Sequence, residues 1–258
     1  HWKRVWYNIG MIQKKTVQRV FGAVLLAAAG AVMVWQLYTI LILGMIHVAS
    51  GLLLIAMVCA PLFYGVFLLA RSFTDPATQR KVVRVSLAVL FGFYLAALAS
   101  ELILARIDFL HFSQAAAQYR ENFDLMTNFR PFETVLLYLR ALKYNYIGPG
   151  IPLSNLLGNM LLFMPMAVFL PCLFRAMQKL WVFVLAMAGM LVMVEALQLL
   201  LSCGSCDVDD ILLNLTGTLI VYGILKIPFF KRLLNRLYLL PEPKPVPPPA
   251  PEADATAV

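Results

Sequence analysis

Apolar runs long enough to cross a bilayer recur along this chain, and they restrict its fold more than any other feature. A crossing helix needs about 20 consecutive apolar residues. Six segments meet that length: Val20–Leu43, Val48–Ala70, Val82–Arg106, Leu153–Phe174, Leu180–Leu201 and Asp210–Pro228. In hydrocarbon each backbone polar group must be satisfied within the segment, so such runs become helices. Of the 258 residues, 62% are hydrophobic and only 13% charged, far less charge than a soluble domain carries. We expect an all-α, six-helix polytopic transmembrane bundle. The chain opens on His1 rather than Met, and we expect a truncated start. Its first apolar stretch, Phe21 to Ile46, is too long for the core of a signal peptide.

Basic residues fix the expected orientation, because cytoplasmic loops are rich in Lys and Arg. Lys3, Arg4, Lys14, Lys15 and Arg19 precede the first segment, and Arg71, Arg80, Lys81 and Arg84 follow the second. Arg175 and Lys179 follow the fourth, and Lys226, Lys231, Arg232, Arg236 and Lys244 follow the sixth. Those are sixteen of the 21 basic residues, all on one side. Both termini are therefore expected in the cytoplasm. The net charge of +8 is accounted for by this pattern. No nucleic-acid motif accompanies it, so membrane lipid, not nucleic acid, is the expected partner.

Four regions follow. Residues 1–19 read as a cytoplasmic interfacial segment, with Trp2, Val5, Trp6 and Ile9 at helical spacing among cations. Residues 20–81 form an accessory transmembrane hairpin and a basic loop. Residues 82–228 carry four spans and a long outer loop. Residues 229–258 form a cytoplasmic tail, first basic, then Pro-rich and disordered from Pro241. In the outer loop, Phe112, Ala116, Tyr119, Phe123 and Met126 recur every three or four residues, as do Phe132, Val135, Leu136, Leu139 and Leu142. Both stretches predict amphipathic helices lying on the outer surface. The break at Asn128–Phe132 contains Pro131, which disfavours helix just before it.

The chemistry concentrates at the outer ends of the last spans. Asn155 and Asn159 are four residues apart and share a helix face. Pro165 should kink that helix. Glu195 and Gln198 share a face of the next one, with Glu195 about 10 Å, at ~1.5 Å per residue, from its outer end. A carboxylate there is costly unless paired, protonated or hydrated, so it marks a site. No basic residue lies in the same stretch of any span. Glu101 is a companion near the outer end of the third segment. Asp207, Asp209 and Asp210 open the last span, followed by Asn214 and Gly217. One acid would cap that helix; three exceed the need. The surplus points to a cation site, with Asp207 and Asp210 as ligands, or to hydrogen bonding of a sugar or peptide amide. Oxygen ligands suit Mg²⁺ or Ca²⁺ as cofactor. His47 and His111 lie outside the cluster, which argues against zinc. Gly217 and Thr218 suit close helix approach.

These motifs stand in a recognisable order. Asn128-x-x-Pro131-Phe132 comes first, then Asn155-Leu-Leu-Gly158-Asn159 with Phe163 and Pro165. Glu195-x-x-Gln198 and Asp207-Val-Asp209-Asp210-x-x-x-Asn214-x-x-Gly217 follow. The series resembles the VanZ-like family over residues 85–226. The resemblance implies a multipass bacterial membrane protein, and the family's founding member gives low-level teicoplanin resistance without altering peptidoglycan precursor termini. It implies a shared site formed by the matched residues, including Asn128. Family members often carry Arg shortly before the acidic motif. Here Ser202–Cys203–Gly204–Ser205–Cys206 takes its place, removing the usual clamp for an anion.

Four functions compete. An outward-facing polar pocket would bind a lipid-linked wall molecule or a glycopeptide, lowering access of lipoglycopeptide antibiotics such as teicoplanin. An enzyme acting on an envelope lipid would use Glu195 as catalytic acid or base, with Asp207 and Asp210 holding a cation. A thiol oxidoreductase would use Cys203 and Cys206, whose spacing is that of redox pairs. A transporter needs polar residues through the whole membrane depth, and the cytoplasmic halves of these spans are almost wholly apolar.

Overall fold

The computed structural model describes residues 2–43, 64–107 and 111–241. The chain is all-α apart from one short strand pair among those residues. Helix α1 (Trp2–Leu43) runs unbroken through the expected interfacial segment and first span. Most of the expected second span, and the tail beyond residue 241, lie outside the described residues; residues 64–72 form helix α2. α1 and α2 cross at two glycines. A Cβ on Gly22 would stand 2.8 Å from the Gly65 carbonyl oxygen, and one on Gly65 3.0 Å from that of Gly22. Small residues let helix backbones approach this closely.

Among the described residues, four helices are long and apolar enough to cross a membrane: Pro76–Leu102, Gly150–Leu173, Leu180–Leu200 and Val208–Lys226. The first, α3, starts six residues before the expected boundary. Asp75 explains why: its carboxylate accepts from the amides of Ala77 (3.2 Å) and Thr78 (2.9 Å), with Pro76 opening the helix. The second consists of α7 (Gly150–Leu162) and α8 (Met166–Leu173), parted at residues 163–165. Pro165 has no amide to continue the ladder. The Tyr94 hydroxyl of α3 donates to the Leu162 carbonyl at this break (2.7 Å). The third and fourth spans are α9 (Leu180–Leu200) and α10 (Val208–Lys226).

Between α3 and α7 lie α4 (Phe112–Glu121), α5 (Phe123–Met126) and α6 (Glu133–Tyr144). The Asn128 break is a strand. β1 (Thr127–Asn128) pairs in parallel with β2 (Cys206–Asp207), so Asn128 faces Asp207 in register. The basic stretch after the last span is also helical: α11 (Pro228–Arg236) has Pro at its start and Leu233 and Leu234 between its cations.

The core lies among the four spans. Phe163, Met166, Ala167, Phe183, Met187, Leu191 and Tyr222 are buried together with Leu98 and Leu102. Large apolar residues such as Val85, Leu185, Val192 and Ile220 are exposed on the same helices. In a bilayer, hydrocarbon covers such faces. α7 and α10 touch most closely at Gly217, where a Cβ would stand 1.9 Å from the Met160 carbonyl oxygen. The expected close approach is therefore present at Gly217, and Thr218 beside it is fully buried.

Candidate functional site

The site is built where the end of α9, the start of α10 and the α3–α7 loop meet. α9 ends with Ser202 in the left-handed region (φ 50), and the Cys203 amide donates to the Gln198 carbonyl at 3.0 Å. This is the usual glycine-type helix stop, here carried by a serine. The reversed chain then runs as β2 into α10.

Asp207 is the N-cap of α10, accepting from the Asp209 amide at 2.8 Å. Its carboxylate also accepts from the Asn128 side-chain amide (3.0 Å) and the Thr134 hydroxyl (2.6 Å). The same Asn128 nitrogen donates to Thr134 (3.0 Å), and its oxygen accepts from the Arg130 amide (2.9 Å). Asp209 is fully buried, and its two oxygens accept from the amides of Phe132 (2.5 Å) and Val135 (3.0 Å). Phe132 has φ 69, a left-handed conformation that a bulky residue adopts at a cost. Two of the three acids are thus engaged in holding the loop and the first turn of α6. Capping consumes more carboxylates than expected because they cap two helices, one of them from another element.

Asp210 and Glu195 form the remaining part. Asp210 accepts from the Asn159 side-chain amide of α7. Glu195, 8% exposed, accepts from the Asp207 amide at 3.1 Å. The structure therefore brings together Asn128, Asn159, Glu195, Asp207 and Asp210. Gln198 lies at the edge: it is buried and donates to the Leu102 carbonyl at 3.0 Å, closing the end of α3. The Asn214 nitrogen donates to the Asp210 carbonyl one turn back (2.7 Å), while its buried oxygen has no hydrogen-bond partner among the described residues. Two expected members do not join this network. Asn155 is exposed and donates to Ile151 of its own helix (2.9 Å), because its turn of α7 precedes the contact with α10. Glu101 is half-buried near Arg106 and makes no hydrogen bond to the cluster among those described.

Four participants have no motif in the sequence. Thr134 ties β1 to Asp207. Arg106, in a 3₁₀ turn (Leu104–Arg106) after α3, acts electrostatically on Glu195 and Asp210, so a basic residue does accompany them. A Cβ on Gly204 would stand 3.3 Å from both Arg106 Nη1 and Gln198 Cδ, so the turn admits the guanidinium because Gly204 lacks one. Tyr119 of α4 is 7% exposed, and its hydroxyl has no partner among the described residues. Burial pushes its phenol up, with Cys206, Cys203 and Glu195 adding to the effect. Tyr138 of α6 is raised by burial and then by Asp210 and Asp207. The loop helices thus deliver two phenols to the carboxylates. For Tyr119 the sequence signal was apolar periodicity, which counts Tyr as a core residue; Tyr138 lies outside the periodic set of its helix.

Among the described residues, no group of three or more His, Cys, Asp or Glu side chains is placed to hold a metal ion. Asp207 already accepts three hydrogen bonds. Cys203 and Cys206 are buried free thiols. Burial pushes both up, and Glu195 and Asp207 raise Cys206 further. Reactive cysteines show the opposite shift, and Arg106 acts in that direction on Cys203.

The family model described as VanZ/LLP1 matches residues 91–231, from the middle of α3 into α11. No curated protein and no solved structure matches the chain. The matched segment covers more than half of the sequence and includes the whole acidic network. The apolar helices, the ordered Asn, Glu and Asp motifs and this match lead to one conclusion: the chain belongs to the VanZ/LLP1 family.

Proposed function

We propose that this protein is a six-span component of the bacterial plasma membrane, with both termini in the cytoplasm and the acidic helix ends facing outward. Residues 20–81 scaffold the domain at 82–228, and the α4–α6 loop lies on the outer surface. The acidic end binds the polar part of a lipid-linked wall molecule or of a lipoglycopeptide. Binding lowers susceptibility to drugs such as teicoplanin. The observation that carries this reading is that two buried oxygens at the carboxylate cluster, Tyr119 Oη and Asn214 Oδ1, have no hydrogen-bond partner among the described residues. Buried polar atoms without partners are rare, and a ligand with hydroxyl or amide donors would satisfy both. Glu195, Asp210, Asn159 and Asn128 supply further acceptors and donors around them.

The test is drug susceptibility of a sensitive Gram-positive host expressing the chain, beside an equally expressed Glu195→Ala variant, with vancomycin as control. Selective protection against teicoplanin by the wild type alone is the expected result. Equal susceptibility of both strains, despite membrane insertion, refutes the assignment. Glu195→Gln separates binding from chemistry. A binding site keeps most of its function with the neutral amide, whereas an enzyme using Glu195 as acid or base on an envelope lipid loses it.

A further inference from the structure

The side chains of α11 divide the helix into three faces. At the helical repeat, Phe229 and Leu233 fall one turn apart on one face and Phe230 and Leu234 on the next. Lys231, Arg232, Asn235 and Arg236 occupy the remainder. The second face turns inward. Leu234 packs on the buried cluster that contains Val83, Leu87, Phe169 and Cys172, and Phe230 is half-buried. Leu237, Tyr238 and Leu240, just after the helix, pack on the same cluster, and Leu239 is buried in it. The Leu239 amide donates to the Leu234 carbonyl at 3.0 Å. α11 is therefore held against the end of the bundle by its own C-terminal turn.

The first face stays uncovered. Phe229 is 63% exposed and Leu233 41%, although both are large and apolar. The Phe229 ring meets Phe230 edge-on, 5.2 Å between centroids. The third face is cationic and exposed, and α11 contains no acid. The Arg232 Nε donates to the Pro228 carbonyl of its own helix (3.2 Å), and Lys231 borders a cavity with Lys226 and Leu234. Neither contact brings a carboxylate, so neither neutralises the charge.

The depth of α11 follows from its connection. α10 ends at Lys226 and α11 begins at Pro228, with Ile227 extended between them (φ −57, ψ 134). Two residues reach at most about 7 Å, which is about the thickness of one leaflet's polar layer. α11 therefore starts among lipid head groups, whichever side of the membrane that end faces. A helix bathed in water would carry polar residues on its outer side. Topology needs cations near a span end, not an apolar stripe beside them. Phe and Leu next to a Lys and Arg face is the pattern of a helix lying in the interface. We propose that α11 is an in-plane anchor on anionic lipid, with Phe229 and Leu233 in the acyl boundary and Lys231, Arg232 and Arg236 on the lipid phosphates. The anchor does not depend on what the acidic end binds.

The experiment uses the full chain with Phe229→p-benzoylphenylalanine, reconstituted in vesicles of equal parts dioleoylphosphatidylglycerol and dioleoylphosphatidylcholine. Phe229 is exposed, so the larger photoreactive ring displaces no core. After irradiation, mass spectrometry identifies what the ring has captured. Lipid adducts are expected. Phosphatidylglycerol should be captured roughly fivefold more often than phosphatidylcholine, the preference that about one cation near the surface confers. High salt should erase that preference and leave the adducts. The same photoreactive residue at Asn235, on the cationic face, should capture far fewer acyl chains. Adducts to protein, a second copy included, no adduct, or equal lipid capture from Phe229 and Asn235 overturn the in-plane placement. Equal capture of the two lipids at low salt overturns the assignment to anionic lipid. If the Phe229 variant fails to insert, the same substitution at Leu233, one turn on, is read in the same way.

Discussion

Asp209 shows how a residue type can be legible while its task is not. Three acids at a helix start exceed the needs of one helix, and that surplus is plain from the sequence. Its use is not, because the partners of Asp209 are the amides of Phe132 and Val135, more than seventy residues away. Removing this carboxylate leaves two amides of the α6 start without acceptors and a left-handed Phe132 without its restraint. Asp209→Ala should cost on the order of 2–3 kcal/mol, measured as a lowered unfolding temperature in detergent. Chymotrypsin should also cut faster after the exposed Phe129 in the released loop. An unchanged cleavage rate would contradict the clamp. Asn155 shows the converse. Its spacing from Asn159 is legible, but only the packing of α7 on α10 decides that Asn159 meets Asp210 while Asn155 stays on its own helix.

The elements follow from apolar length and from their punctuation. Asp75–Pro76 starts α3, Pro165 parts α7 from α8, and Pro228 opens α11. Boundaries moved by several residues where no apolar cue marks them, as at the polar first turn of α3. The contact between α7 and α10 depends on Gly217, and this sets a paired test. Gly217→Ala places a methyl group against the Met160 carbonyl, so the helices must part, at a cost of about 1–3 kcal/mol or more. Gly223→Ala, two turns on in α10, meets nothing within 4 Å and should be neutral or stabilising by up to about 1 kcal/mol. Thermal unfolding of both variants in the same detergent checks this. Equal effects would mean that the close approach is not what makes Gly217 necessary. The strand pair was not legible, since two residues per strand carry no period to detect.

At the scale of the whole molecule, charge is polarised. Carboxylates gather where α9 passes into α10, and arginines gather around the start of α3 and the α8–α9 turn. With the orientation proposed above, a C-terminal green fluorescent protein fusion should fluoresce and a C-terminal alkaline phosphatase fusion should be inactive. An active phosphatase would invert the assignment, placing the acidic end in the cytoplasm and the arginine-rich end outside. That the chain is a bundle of membrane helices follows from the order of its residues. Long apolar runs admit no other backbone in lipid, and the spacing of Asn, Glu and Asp marks the family. Which polar groups meet depends on how the helices and the loop pack. Hydrogen bonds and charge act through space, so Arg106, Tyr119, Thr134 and Tyr138 became part of the acidic end only when the α3–α7 loop folded back over it.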